Sequence, residues 1–323
     1  MALSSPLLNA LQDKDKPSSA PVARVAFVKT TDRTQGVRRA IDLLERGSFH
    51  GRDLFVKPNF NSADLPPGST HIETLTSFVH ALKDLKAGSL TIGDRSGMGN
   101  TREVMETKGA FALAKAEGAR AQVLDELPAY AWELIKTPGS HWQRGFAVPR
   151  MIRHDLGVVQ TCCLKTHRFG GHFTLSLKNS VGLAAKLLPG DSYNYMHELH
   201  SSPDQRRMIA EINAAYQPEL VLLDGVEAFV NGGPEAGQKV NASVILAGTD
   251  RVAIDALGVA ILRHFGTTPE VSRGSIFGQE QIARAVELNL GVKMPRQIEI
   301  LTGDPQSAEY AKPFRAILDS EAA

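Results

Sequence analysis

The sequence predicts an α/β fold, a mostly parallel sheet flanked by helices. Residues 22–323 form one such domain, or two α/β lobes, about 22–150 and 151–323, sharing a cleft. Three observations carry this. Short apolar runs of strand length alternate with longer segments of helical apolar spacing. The chain has 323 residues, 42% hydrophobic and 22% charged, enough for a sizeable core. Polar residues recur just after the apolar runs, where a parallel sheet gathers its ligand-binding loops on one edge.

Residues 1–21 come first. Asp13-Lys14-Asp15-Lys16-Pro17 and Ser18-Ser19-Ala20-Pro21 read as a flexible tail after a short helix at 6–11. A strand is predicted at 23–29. A helix at 34–46 follows, with Val37, Ile41, Leu43 and Leu44 on its apolar side. A strand at 53–56 runs into Lys57-Pro58-Asn59. Thr70 with Glu73 makes a capping box for a helix to about residue 85. A strand at 89–92 ends at Gly93-Asp94. The loop Arg95-Ser96-Gly97-Met98-Gly99 follows, and Asn100 caps a helix over 101–117. A fourth strand spans 121–124.

Pro138, Gly139, Gly145 and Pro149 break the rhythm between 125 and 154, as in a hairpin or loop. The apolar run 156–159 then leads to Lys165 and His167, and Gly170-Gly171 turns the chain. A helix over 174–188 carries Lys178 and Asn179 in apolar surroundings. Residues 191–200 read as a polar loop and 203–216 as a helix. A strand at 220–223 ends at Asp224-Gly225, and Asn231-Gly232-Gly233-Pro234 is a turn. A strand at 242–247, helices at 252–265 and 279–288, and a strand at 297–301 complete the reading.

These placements converge polar groups on one strand-end cleft. Lys165, His167, Lys178 and Asp224 are the expected catalytic groups. Lys57, Asn59, Asp94 and Asn179 are the expected substrate-binding groups. Buried lysines neutralise carboxylate or developing enolate charge, and either can act as a base. His167, with His172 or His197, is the expected metal set, for a divalent transition metal such as Fe, Ni, Mn or Zn. His197-Glu198-Leu199-His200 is one residue short of the metalloprotease spacing. The Gly97–Gly99 turn matches neither the dinucleotide nor the P-loop pattern, and Asp94 at its mouth repels phosphate unless a cation intervenes.

Other classes are set aside on composition. Net charge is +1 and aromatics are 6%, so nothing argues for nucleic acid. No apolar run reaches about 18 residues and no secretory signal is visible, so no membrane span is expected. The two cysteines, Cys162 and Cys163, are adjacent in an apolar context. They read as reduced core residues of a cytoplasmic protein, with no built-in iron–sulfur cluster.

Several motifs recur together in a fixed order. They are Val56-Lys57-Pro58-Asn59, Gly93-Asp94, Lys165-Thr166-His167, Thr174-Leu175-Ser176-Leu177-Lys178-Asn179, Asp224-Gly225, Gly232-Gly233-Pro234 and Ala247-Gly248-Thr249-Asp250-Arg251-Val252-Ala253-Ile254-Asp255. This combination resembles the DUF362 family over residues 23–301. That family is bacterial and archaeal and of largely unassigned function. Many members carry a four-iron ferredoxin module, a pattern from which this sequence departs. The layout is also similar to the lactate racemase family, which works on 2-hydroxy acids through a nickel-pincer cofactor held by histidines and lysines of such segments. The expectation is a metal-dependent or redox enzyme, an oxidoreductase, isomerase or lyase, acting on a small carboxylate-bearing molecule. The alternative is a non-catalytic redox-partner or small-ligand and phosphate binder. An external ferredoxin and a homodimer are the partners considered.

Overall fold

Successive side chains of a strand point to opposite faces, so a strand apolar at every position must be covered on both sides. The stretch 25–28 of β1 (Ala23–Lys29) shows this: Val25 and Phe27 enter one core cluster, Ala26 and Val28 another. A computed structural model describes residues 22–320, and the tail expected over 1–21 lies outside the described residues. After β1 the order is α1 (Arg33–Leu43), β2 (Leu54–Lys57), α2 (Ile72–Asp84), β3 (Leu90–Asp94), α3 (Thr101–Thr107), α4 (Ala110–Ala116), β4 (Arg120–Val123), β5 (Trp132–Ile135), β6 (Phe146–Pro149), α5 (Met151–His154), β7 (Gly157–His167) and β8 (His172–Thr174). Then come α6 (Ser176–Asn179), α7 (Tyr195–Ser201), α8 (Gln205–Ile212), β9 (Pro218–Gly232), β10 (Gly237–Val240), β11 (Val244–Gly248), α9 (Arg251–His264), α10 (Pro269–Ser272), α11 (Glu280–Glu287), β12 (Ile298–Leu301) and α12 (Pro305–Asp319).

One sheet runs β12-β1-β11-β9-β7-β2-β3-β4, with β10 added to β9 and β8 to β7. Along that path β11 alone opposes the rest, so the sheet is mostly parallel, as predicted. β1, from the start of the chain, sits between β11 and β12 from its end, so the sheet is continuous through both portions of the sequence. β5 and β6 form a separate antiparallel pair where the rhythm breaks.

Two adjacent central strands position the site. From β2 the chain goes outward to β3, and its crossover helix α2 packs Leu75, Phe78 and Val79 into the same core as Leu54 and Val56. From β7 it goes the other way to β9, and α8 packs Met208, Ile209 and Ile212 against Phe55 and Val158 on the opposite face. β2 and β7 therefore flank a topological switch point, the crevice where open α/β sheets bind ligands. The register ends at Lys57 opposite Gln160, so residues 161–167 of β7 project beyond β2. β8 folds back on that projection, pairing Lys165 with Thr174 and His167 with His172.

Several expected elements are corrected. The cap of α2 is His71, whose Nδ1 accepts from Glu73 N; the Thr70 hydroxyl is taken by Asn59 N at 2.8 Å. The helix over 101–117 is interrupted at Gly109, which has φ +76°. The helix over 174–188 shrinks to α6 and a tight turn over Ser180–Leu183. Its continuation fails because Ala185 N donates to Ala147 O and Arg95 takes the carbonyls of Val181 and Ala184. The polar loop over 191–200 contains α7, capped by the Asn194 side chain. Helix α12 has no counterpart in the sequence reading; its Phe314 and Leu318 complete the core over β1. Among the described residues no helix is long and apolar enough to cross a membrane.

Candidate functional site

At the ends of β2, β3 and β7 lies a cavity of about 280 Å³. Five cationic side chains, Lys57, Arg95, Lys165, Lys178 and Lys186, line it with a single acid, Asp94. Asn59, Asn61, His167, Thr174, Asn179 and His200 add polar groups, and Phe169 and Met98 stand at its mouth, each more than a third exposed.

The floor is a closed hydrogen-bond network. Lys57 Nζ, at the end of β2, pairs with Asp94 Oδ1 at 2.7 Å and donates to Pro58 O at 2.6 Å and Asn179 Oδ1 at 3.2 Å. Asp94 also accepts from Phe60 N and Arg95 N, both at 2.7 Å. Burial presses the lysine down and the carboxyl up, but these donors match a carboxylate and an ammonium. Asn59 Nδ2 donates to Asn179 Oδ1 at 3.1 Å, and Asn59 Oδ1 accepts from Lys165 Nζ at 3.0 Å. Lys165 also donates to Gly68 O. Arg95 is spent on backbone carbonyls and Met196 Sδ.

The wall facing this floor is different. Lys178 is 9% exposed, and its Nζ has no hydrogen-bond or ion-pair partner among the described residues. Burial, with Lys165 and Arg95 adding positive charge, brings its pKa down to about 7. His167 Nδ1, Thr174 Oγ1 and Asn61 Nδ2 are also buried without a partner. Burial and the neighbouring Lys178 and Lys165 push His167 well below its ordinary value, so its imidazole is neutral. His200 Nδ1 donates to Met196 O at 2.7 Å, which leaves Nε2 as an acceptor. Native interiors rarely leave so many polar atoms unpaired in one place.

Glycines let the walls approach. A Cβ on Gly171 would fall 2.5 Å from Lys178 Cε and 2.9 Å from His167 Nδ1. One on Gly182 would fall 2.3 Å from Asp94 Oδ1.

Seven expected site residues, Lys57, Asn59, Asp94, Lys165, His167, Lys178 and Asn179, line this one cavity. Asp224 does not, which corrects its expected place. β9 continues past it to Gly232, so Asp224 lies within a strand rather than at its end. Its carboxylate is taken by Arg33 at 2.9 Å, Thr74 at 2.5 Å and Val226 N at 3.1 Å.

The three histidines do not come together either. His197 is exposed on α7 and lines a separate cleft with His141 and Glu198, and His172 lines neither space. Among the described residues no group of three or more His, Cys, Asp or Glu side chains is placed to hold a metal ion. The one carboxylate in the cavity is bound to Lys57, and the surplus of cations repels a divalent ion. The residues present therefore do not fit the expected metal. Cys162 and Cys163 are free and buried within β7, where burial raises both thiol pKa values.

Asn61, Thr174 and Lys186 were not singled out from the sequence. Thr174 has a signal in retrospect, since it faces Lys165 across the β7–β8 register. Asn61 and Lys186 lie in loops, without a pattern to mark them.

These features define an α/β protein with a cation-rich cavity at the switch point of a mostly parallel sheet. Residues 54–260 match the family described as "Domain of unknown function (DUF362)", and the chain belongs to that family. Among solved structures it is similar to the lactate racemase apoprotein from Thermoanaerobacterium thermosaccharolyticum. The identity is 15% and the TM-score 0.42, over 91% of this chain and 86% of that one. No curated protein matches.

Proposed function

We propose that the protein is an enzyme that binds a small carboxylate-bearing anion in the switch-point cavity and moves a proton on it. One observation carries this reading: the side chain of Lys178, 9% exposed and with no partner among the described residues, lines a cavity with four further cationic side chains and one acid. An ammonium in that position costs several kcal/mol unless an anion meets it. A bound carboxylate supplies that partner and accepts from Asn61 Nδ2 and Thr174 Oγ1 as well. With a pKa of about 7, Lys178 exists as both amine and ammonium at neutral pH, the property of a general acid–base group. The neutral His167 imidazole stands beside it to relay the proton. The floor of Lys57, Asp94, Asn59 and Asn179 holds Lys165 in place.

The test is calorimetric titration of acetate, oxalate and phosphate into the wild-type protein and Lys178→Met. Carboxylates should bind the wild type at one site and lose at least about tenfold in affinity in the variant. Equal binding to both proteins, or no binding to either, would remove the reading.

A further inference from the structure

We propose that Lys178 is a covalent nucleophile, forming a Schiff base with the carbonyl carbon of a 2-oxo acid. The inference rests on the anion reading above and names the substrate class.

Three observations carry it beyond charge neutralisation. Among the described residues Lys178 Nζ, alone of the buried lysines of the cavity, has no acceptor, whereas Lys57 and Lys165 are each fixed by oxygens. A lysine meant only to hold charge is better served by such fixing; one that must form a bond needs its lone pair free. Second, the carboxylate and the carbonyl of a 2-oxo acid are adjacent, and the cavity offers separate groups for them. Asn61 Nδ2, buried without a partner in the same cavity, is a free donor for the carboxylate, and Lys178 comes from α6 across the Gly171 gap. Third, the step needs proton carriers, and His167 Nδ1 and Thr174 Oγ1 are buried, unpartnered and in the same wall. The charged and titratable groups lining the cavity with the amine are Lys165, Arg95, Lys57, Lys186, His167, His200 and the single acid Asp94. This surplus of positive charge favours the neutral amine.

The step balances without an external oxidant or reductant. The neutral amine attacks the carbonyl carbon, and a C–N bond forms. The former carbonyl oxygen leaves as water, taking one amine proton and one proton from solvent. The product is a protonated iminium, an electron sink for loss of a proton from the adjacent carbon.

Pyruvate is the probe. The full chain is incubated with pyruvate and sodium borohydride, the intact mass is measured and the adduct is mapped by peptide analysis. In parallel, pyruvate is titrated against thermal unfolding without borohydride. One reduced adduct per chain is expected, at Lys178, exceeding labelling of exposed lysines by about tenfold or more. It should disappear in Lys178→Arg. Stabilisation by pyruvate without an adduct at Lys178 overturns the covalent step and leaves the anion reading standing. Neither stabilisation nor adduct overturns both. Adducts spread over surface lysines, or unchanged in Lys178→Arg, overturn the assignment of the nucleophile. Mapping on the wild type reads the site even where a variant folds poorly.

Discussion

Replacing Lys178 by methionine should make the protein more stable at neutral pH. The side chain is 9% exposed and its amine has no partner among the described residues. A fall in pKa from 10.5 to about 7 measures how much the fold disfavours the ammonium. At about 1.4 kcal/mol per unit this is roughly 5 kcal/mol, to order of magnitude. The sign follows from proton binding. Between pH 7 and 10.5 the unfolded chain holds a proton on this lysine that the folded chain releases, so wild-type stability rises with pH across that window. Below pH 7 both states are protonated and the penalty is complete. Methionine fills similar volume without charge, so Lys178→Met should gain up to roughly 5 kcal/mol at pH 7, a rise in Tm on the order of 5–10 °C. The gain should shrink steadily toward pH 10.5. The assay is thermal unfolding of both proteins at a series of pH values, with and without acetate. A variant less stable than wild type at pH 7 would mean that Lys178 has an internal carboxylate partner. A gain that ignores pH would mean that its ammonium is not penalised. Either result refutes the reasoning.

Lys57→Met should behave in the opposite way. It leaves Asp94, 1% exposed, without its 2.7 Å partner, and should cost roughly 3–5 kcal/mol in denaturant unfolding. Gly171→Ala should fold, because its new methyl meets side chains rather than backbone, the end of Lys178 at 2.5 Å and the His167 ring at 2.9 Å. It should displace the amine and weaken carboxylate binding by about tenfold in calorimetry, near 1.4 kcal/mol.

Much of the fold was legible in the chain. The run 23–29 is a strand at both predicted limits, because its apolar positions, Ala23 and Val25–Val28, each meet a core on one face or the other. Local apolar patterning reports such burial directly. The strand-end rule also worked where a strand stops at its polar residue, as at Lys57 and Asp94. It failed at Asp224, since nothing local shows that β9 runs on to Gly232 with β10 and β7 as neighbours.

The family and the alternation of strand and helix are properties of the sequence, because they depend on the order and spacing of residue types along it. The identity of the lysine that matters depends on contacts between distant segments. Apolar neighbours set Lys178 apart in the chain, but nothing there shows pairing; Lys57 and Lys165 are bound by Asp94, Asn59 and backbone oxygens, and Lys178 has no partner among the described residues. Likewise the three histidines read as one ligand set, and the tertiary structure sends His197 to a separate cleft and His172 out of both spaces. Pairing is decided by which oxygen the fold brings within about 3 Å, a distance that no spacing along the chain specifies.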